Sequence, residues 1–190
     1  MIAQPAAYAA RLNIDYQDRL DKLTTFFRPI TIIPIAIVAG ALSTSLGFVT
    51  AMMIVFRRKY PRWWFDFSLQ MARFTTRVGA YGALLTDVYP STTDEQGVHL
   101  ELDYPDAENG LNRWLPLVKW LLAIPHYVVL FVLGILAFFG LVIAWFAILF
   151  TGRYPRSIFN YVVGVMRWAL RVQAYMYLQL TDVYPPFSVD

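Results

Sequence analysis

YPRWWFDFSLQMARFTTRVGAYGALLTDVYP at residues 60–90 and YPRSIFNYVVGVMRWALRVQAYMYLQLTDVYP at residues 154–185 are two copies of one phrase, and their reading decides the fold. Each opens with Tyr-Pro-Arg, carries an Arg-Val-x-Ala-Tyr run (Arg77 to Tyr81, Arg171 to Tyr175) and closes on Thr-Asp-Val-Tyr-Pro. The offset is about 94 residues, roughly half of the 190-residue chain. The protein therefore reads as an internal duplication, with residues 1–92 as the first repeat and 93–190 as the second, joined in one compact membrane domain.

Within each copy a long run that starts on proline and has no internal proline predicts a helix, over Pro61 to Leu85 and Pro155 to Leu180. Asp66, Gln70, Arg73, Arg77 and Tyr81 recur at spacings of three and four, which places them on one face. Asn160, Gly164, Arg167, Arg171 and Tyr175 repeat the pattern. Such a polar-striped helix can return across a bilayer with its stripe turned inward, giving two spans per repeat, or lie at the interface with its arginines at lipid phosphates. Pairing of the two opening strands favours four spans. With two spans per repeat both strands fall on one side and both Tyr-Pro-Arg loops on the other, whereas one span per repeat separates the strands.

Those strands stand at the start of each repeat. Ala6 to Tyr16 alternates apolar with polar residues near its end and Val98 to Asp103 does so throughout, and the two close on Asp15-Tyr16 and Asp103-Tyr104. Amphipathic lead-ins follow, Asp18 to Pro34 and Glu108 to Pro125, in which Arg28 and Lys119 each precede a proline by six residues and are expected to snorkel at one depth. Ile30 to Phe56 and His126 to Phe150 are longer than the roughly 20 residues that cross a bilayer and carry no charge. The fold class is thus mainly α and integral to a membrane: each repeat holds a short strand, an interfacial lead-in, a spanning helix and a long polar-striped helix.

Composition agrees. The chain is 58% hydrophobic and 17% aromatic, beyond what a soluble core needs. No secretory signal pattern precedes the first apolar run, so that run is expected to direct insertion. Cysteine is absent, which excludes disulfides, thiolate catalysis and cysteine-based metal sites. The net charge of +3 comes from basic residues at the ends of apolar segments, where they suit lipid phosphates; nucleic acid is not an expected partner. The dense basic loops around Tyr60 and Arg62, and around Tyr154 and Arg156, point to the cytoplasmic side.

Phe146 to Arg156 (FAILFTGRYPR), Val163 to Trp168 (VGVMRW), Leu180 to Phe187 (LTDVYPPF) and Ile124-Pro125-His126 together resemble the bacterial membrane family known as domain of unknown function 4389. The first repeat shares the pattern more weakly, with Ile33-Pro34-Ile35 lacking the histidine. The resemblance supports the membrane placement and leaves activity open; the expected location is the bacterial inner (cytoplasmic) membrane, multi-pass.

Chemistry has few places to reside. His126 reads as an interfacial hydrogen-bonding residue and His99 as solvated. Asp87 and Asp182 read as helix terminators, with ion pairing to the stripe arginines as the other option. Arg73, Arg77, Arg167 and Arg171 are the candidate anion or lipid-headgroup residues. No catalytic triad, metal spacing, phosphate loop or carboxylate pair is present, so no enzyme and no cofactor is expected. A structural or accessory subunit, packed against membrane lipids and against other membrane-protein subunits or itself, is the leading expectation. A channel or transporter for a small anion, using the arginine stripe, is the alternative.

Overall fold

The computed structural model describes residues 8–43 and 45–190. The start of the first expected strand segment, Ala6 and Ala7, lies outside the described residues. The alternating stretches form β1 (Ala10–Ile14) and β2 (Val98–Leu102), each buried on every second residue. They pair antiparallel with Leu12 opposite Leu100. The helices are α1 (Lys22–Ser43), α2 (Leu46–Arg57), α3 (Arg62–Gly82), α4 (Lys119–Leu122), α5 (Ile124–Thr151) and α6 (Arg156–Met176), with a 3₁₀ turn at Leu115–Leu117.

The expected boundary at Pro34 is absent, because α1 runs through both Pro29 and Pro34 as one element. In the second repeat the boundary exists. Pro125 stands in the first turn of α5, where a missing N–H removes no helical bond.

Each polar-striped helix folds back along its own apolar helix. Trp64 Nε1 donates to Thr50 Oγ1 at 2.8 Å near one end of α3, and Tyr81 meets Thr31 at 2.9 Å near the other. Tyr161 donates to the Leu133 carbonyl at 3.0 Å in the second hairpin. The strands cross over: β1 packs on α6 and β2 packs on α3. Three layers result, with the sheet first, α3 and α6 next, and α1, α2 and α5 outermost. Two helical stretches, Lys22–Arg57 and Ile124–Thr151, are long and apolar enough to cross a membrane.

The repeats are related by a pseudo-two-fold axis through the strand pair, and this corrects the expected placement of the loops. Tyr60 stands at the start of α3, while Tyr154 donates to the carbonyl of Ala83 just past its end. At 21 residues α3 is about 31 Å long. The two Tyr-Pro-Arg loops therefore lie at opposite ends of the molecule rather than together. The strands pair as expected, but they do so by lying lengthwise against the helices.

Matching helix ends adopt the same conformation with different residues. Arg58 (φ 49°) follows α2 and Gly152 (φ 71°) follows α5, each donating its backbone N–H back to an isoleucine carbonyl, Ile54 and Ile148. A left-handed residue at this position satisfies an orphan carbonyl, and glycine does so without steric cost. A Cβ on Gly152 meets only ordinary contacts, the nearest being Lys22 Cε at 3.7 Å. Gly152→Ala should therefore lower unfolding stability by about 1 kcal/mol through backbone strain alone, and Arg58→Gly should not lower it. Thermal unfolding of both variants in one detergent checks this; an unchanged midpoint for Gly152→Ala would refute the strain argument.

Candidate functional site

The two most deeply buried cations, Arg28 and Lys119, form two equivalent centres, one at each end of the molecule. At the first, Arg28 of α1 is 1% exposed and pairs with Asp87 from the stop after α3. Its guanidinium lies 4.6 Å from the centre of the Tyr81 ring, whose face covers the Nε and Nη1 atoms that have no oxygen partner. Asp87 also accepts the backbone N–H of Asp21 at 2.6 Å, one residue before α1 begins.

At the second centre Lys119 is 1% exposed, pairs with Asp182 at 2.8 Å and donates to the Thr181 carbonyl at 2.8 Å. Its ammonium lies 4.9 Å from the centre of the Tyr175 ring. Burial holds its pKa below the usual lysine range, and Asp182 opposes that shift. Asp182 accepts the backbone N–H of Asn112, the counterpart of Asp21. Both cations were expected to snorkel, and both are instead enclosed. The two aspartates do more than end a helix: they pair, though with the lead-in cations and not with the stripe. A carboxylate shared between a buried cation and a backbone N–H fastens each lead-in to the end of its own repeat.

The four stripe arginines are engaged elsewhere. Arg73 donates to the Leu100 carbonyl at 3.2 Å and Arg167 to the Leu12 carbonyl at 2.9 Å. Leu12 and Leu100 are partners in the strand register, so each strand has an arginine from the helix beside it. Arg77 donates to the Ser91 carbonyl at 2.7 Å and Arg171 to the Ser188 carbonyl at 3.3 Å, holding the segments that follow α3 and α6. Gly164, which stands in the stripe without a charge, leaves room for that terminal segment: a Cβ there would come within 2.6 Å of the Val189 carbonyl oxygen. Asp66 pairs with exposed Arg62 at 3.3 Å.

The Tyr-Pro-Arg loops join one repeat to the other. Tyr60 donates to the Leu178 carbonyl at 3.0 Å and Tyr154 to that of Ala83 at 3.4 Å. Their own carbonyls accept from Tyr104 and, at 2.6 Å, from Tyr16, the residues that end the two strand segments. Burial pushes the Tyr60 hydroxyl up to about 12 and raises Tyr154 further. Arg62 and Arg156 lie over the Tyr104 and Tyr16 rings at 5.0 and 4.2 Å.

His126 breaks the symmetry, since Ile35 occupies its place in the first repeat. It is wholly buried, stacked on Phe187 at 4.0 Å, and its Nδ1 accepts from Trp168 Nε1 at 3.0 Å. That bond assigns any proton on the neutral ring to Nε2. His99 pairs with Asp15 at 3.0 Å on the exposed face of the sheet. Among the described residues no cluster of three or more His, Cys, Asp or Glu could hold a metal.

Sequence reasoning missed the burial of Arg28 and Lys119 and the crossing of contacts between repeats. A signal was available: cation, ring and carboxylate recur together as Arg28, Tyr81 and Asp87, and as Lys119, Tyr175 and Asp182.

These features define a class: a duplicated, mainly helical protein with two helices capable of crossing a membrane and its buried charges spent on joining segments. The family model described as "Domain of unknown function (DUF4389)" matches residues 22–93 and again residues 114–188, and the chain belongs to that family. The two matches coincide with the two repeats. No curated protein and no solved structure matches the chain.

Breaking one partner of a buried ion pair strands the other charge, at a cost of about 3–5 kcal/mol, whereas replacing both by apolar groups is far milder. Asp182→Asn should fall near the lower end of that range. Lys119→Met combined with Asp182→Leu should recover most of the loss. Denaturation midpoints in detergent measure both, and a single substitution as mild as the double would show that the pair does not hold the lead-in.

Proposed function

We propose that this chain is a non-enzymatic membrane protein that serves as a structural or accessory subunit, in contact with lipid and with other membrane-protein subunits or further copies of itself. The observation that carries this reading is the outer layer. Phe26, Phe27, Ile37, Phe48, Phe131, Phe138, Phe139 and Phe146 are all exposed on α1, α2 and α5, an apolar surface far larger than a soluble monomer leaves uncovered. The buried polar groups support it from the other side, because the aspartates, the enclosed cations and the stripe arginines are occupied in fastening segments together. The anion-channel alternative draws less support, since Arg73 and Arg167 donate to carbonyls of two different strands, and Arg77 and Arg171 to carbonyls of the segments that follow α3 and α6. The membrane proposed for it is a bacterial inner membrane, an expectation supported by the family resemblance.

Alkaline carbonate washing should leave the protein in the membrane fraction, and mild detergent should recover it with fixed partners or as a defined oligomer. Release by carbonate would remove the membrane assignment; a lone monomer from native membranes would remove the subunit role.

A further inference from the structure

We infer that the chain lies flat in one face of the bilayer, its helices running along the membrane plane and its pseudo-two-fold axis along the membrane normal. This deepens the membrane reading above and rests on it. Three observations carry it.

The first is the position of the sheet. Arg11, Asn13, His99, Glu101 and Asp103 are exposed on its outer face, and Arg11 bridges Glu101 at 3.1 Å and Asp103 at 2.7 Å. β2 runs along α3, with Tyr104 against Phe65 near the helix start and Leu100 at Arg73 in its middle. If α3 stood upright, these charges would be held at the middle of the hydrocarbon, where ionised side chains are least tolerated. Laid flat, the whole sheet faces water.

The second is the pair of loops. Lys59 and Arg153 are equivalent exposed cations at opposite ends of α3. The separation, about 31 Å from the length of that helix, is close to the hydrocarbon thickness of about 30 Å. An upright chain would place two copies of the same basic motif on opposite sides of the membrane. A flat one brings Arg57, Arg58, Lys59 and Arg62 at one end, and Arg19, Lys22, Arg153 and Arg156 at the other, to the headgroups of a single leaflet.

The third is the grading of the middle layer. Along the uncovered side of α3, Trp63 and Phe67 are exposed toward the outer apolar layer, and Asp66 and Gln70 toward the sheet. The boundary between oil and water therefore runs lengthwise along the helix. A spanning helix would change polarity from its ends to its middle instead.

Because the chain has no cysteine, single cysteines report sidedness without background. Lys59→Cys, Arg153→Cys, Glu101→Cys and Phe138→Cys, each in the full chain, are treated with a membrane-impermeant maleimide in sealed right-side-out and inside-out vesicles. The flat arrangement requires the first three to react from the same side and Phe138→Cys, exposed on the apolar layer, to react from neither. Arg57→Cys and Arg156→Cys repeat the end-to-end comparison should a loop variant fail to accumulate. Reaction of the two ends from opposite sides overturns the inference while leaving the membrane reading intact. Recovery of the unaltered protein in the soluble fraction overturns both.

Discussion

Everything in this molecule depends on the pairing of β1 with β2. Each strand is only five residues long, and an isolated two-stranded ribbon of that length is not stable in water. Stability comes from the exchange of partners: the strand of the first repeat packs on α6 of the second, and the strand of the second packs on α3 of the first. Leu12 and Leu100, paired in register, point into the same core and give their carbonyls to Arg167 and Arg73. Each repeat thus lends its strand to the helix of the other, and the two cores interlock.

The same exchange explains why the motifs are spelled alike. A pseudo-two-fold arrangement asks each interface to be made twice, with one residue contributed in each direction. Tyr16 binds the second loop and Tyr104 the first; Tyr60 closes the end of α6 and Tyr154 the end of α3. Lys22 reaches the Phe150 carbonyl at the end of α5, and Arg113 reaches that of Val55 near the end of α2, where the helix dipole favours a cation. Motif identity here reflects reciprocal packing.

Charge burial follows from geometry in a similar way. Arg28 and Lys119 lie between the apolar helix and the end of the polar-striped helix, where both a carboxylate and a tyrosine face are within reach. Their enclosure is tolerable because each has an ionic partner and a ring, and because each aspartate also satisfies a backbone donor that starts the lead-in. These centres are the joints of the fold. The divergence of the long apolar helices, small-residue-rich in the first repeat and aromatic-rich in the second, falls on the layer that faces outward, where packing constrains sequence least.

By itself the sequence determined the duplication, the two long apolar helices, the alternating strands and the stripe of Asp66, Gln70, Arg73 and Arg77, because periodicity and repetition are properties of neighbours along the chain. It also raised the pairing of the two strands, since each leaves an edge that needs a partner. Only the tertiary structure decided which way that pair runs relative to the helices. The choice put the Tyr-Pro-Arg loops at opposite ends, turned Arg73 and Arg167 toward strand carbonyls and enclosed Arg28 and Lys119. Periodicity assigns a residue to a face of its own element; what that face meets depends on the angle at which two elements cross, and nothing local in the chain specifies that angle.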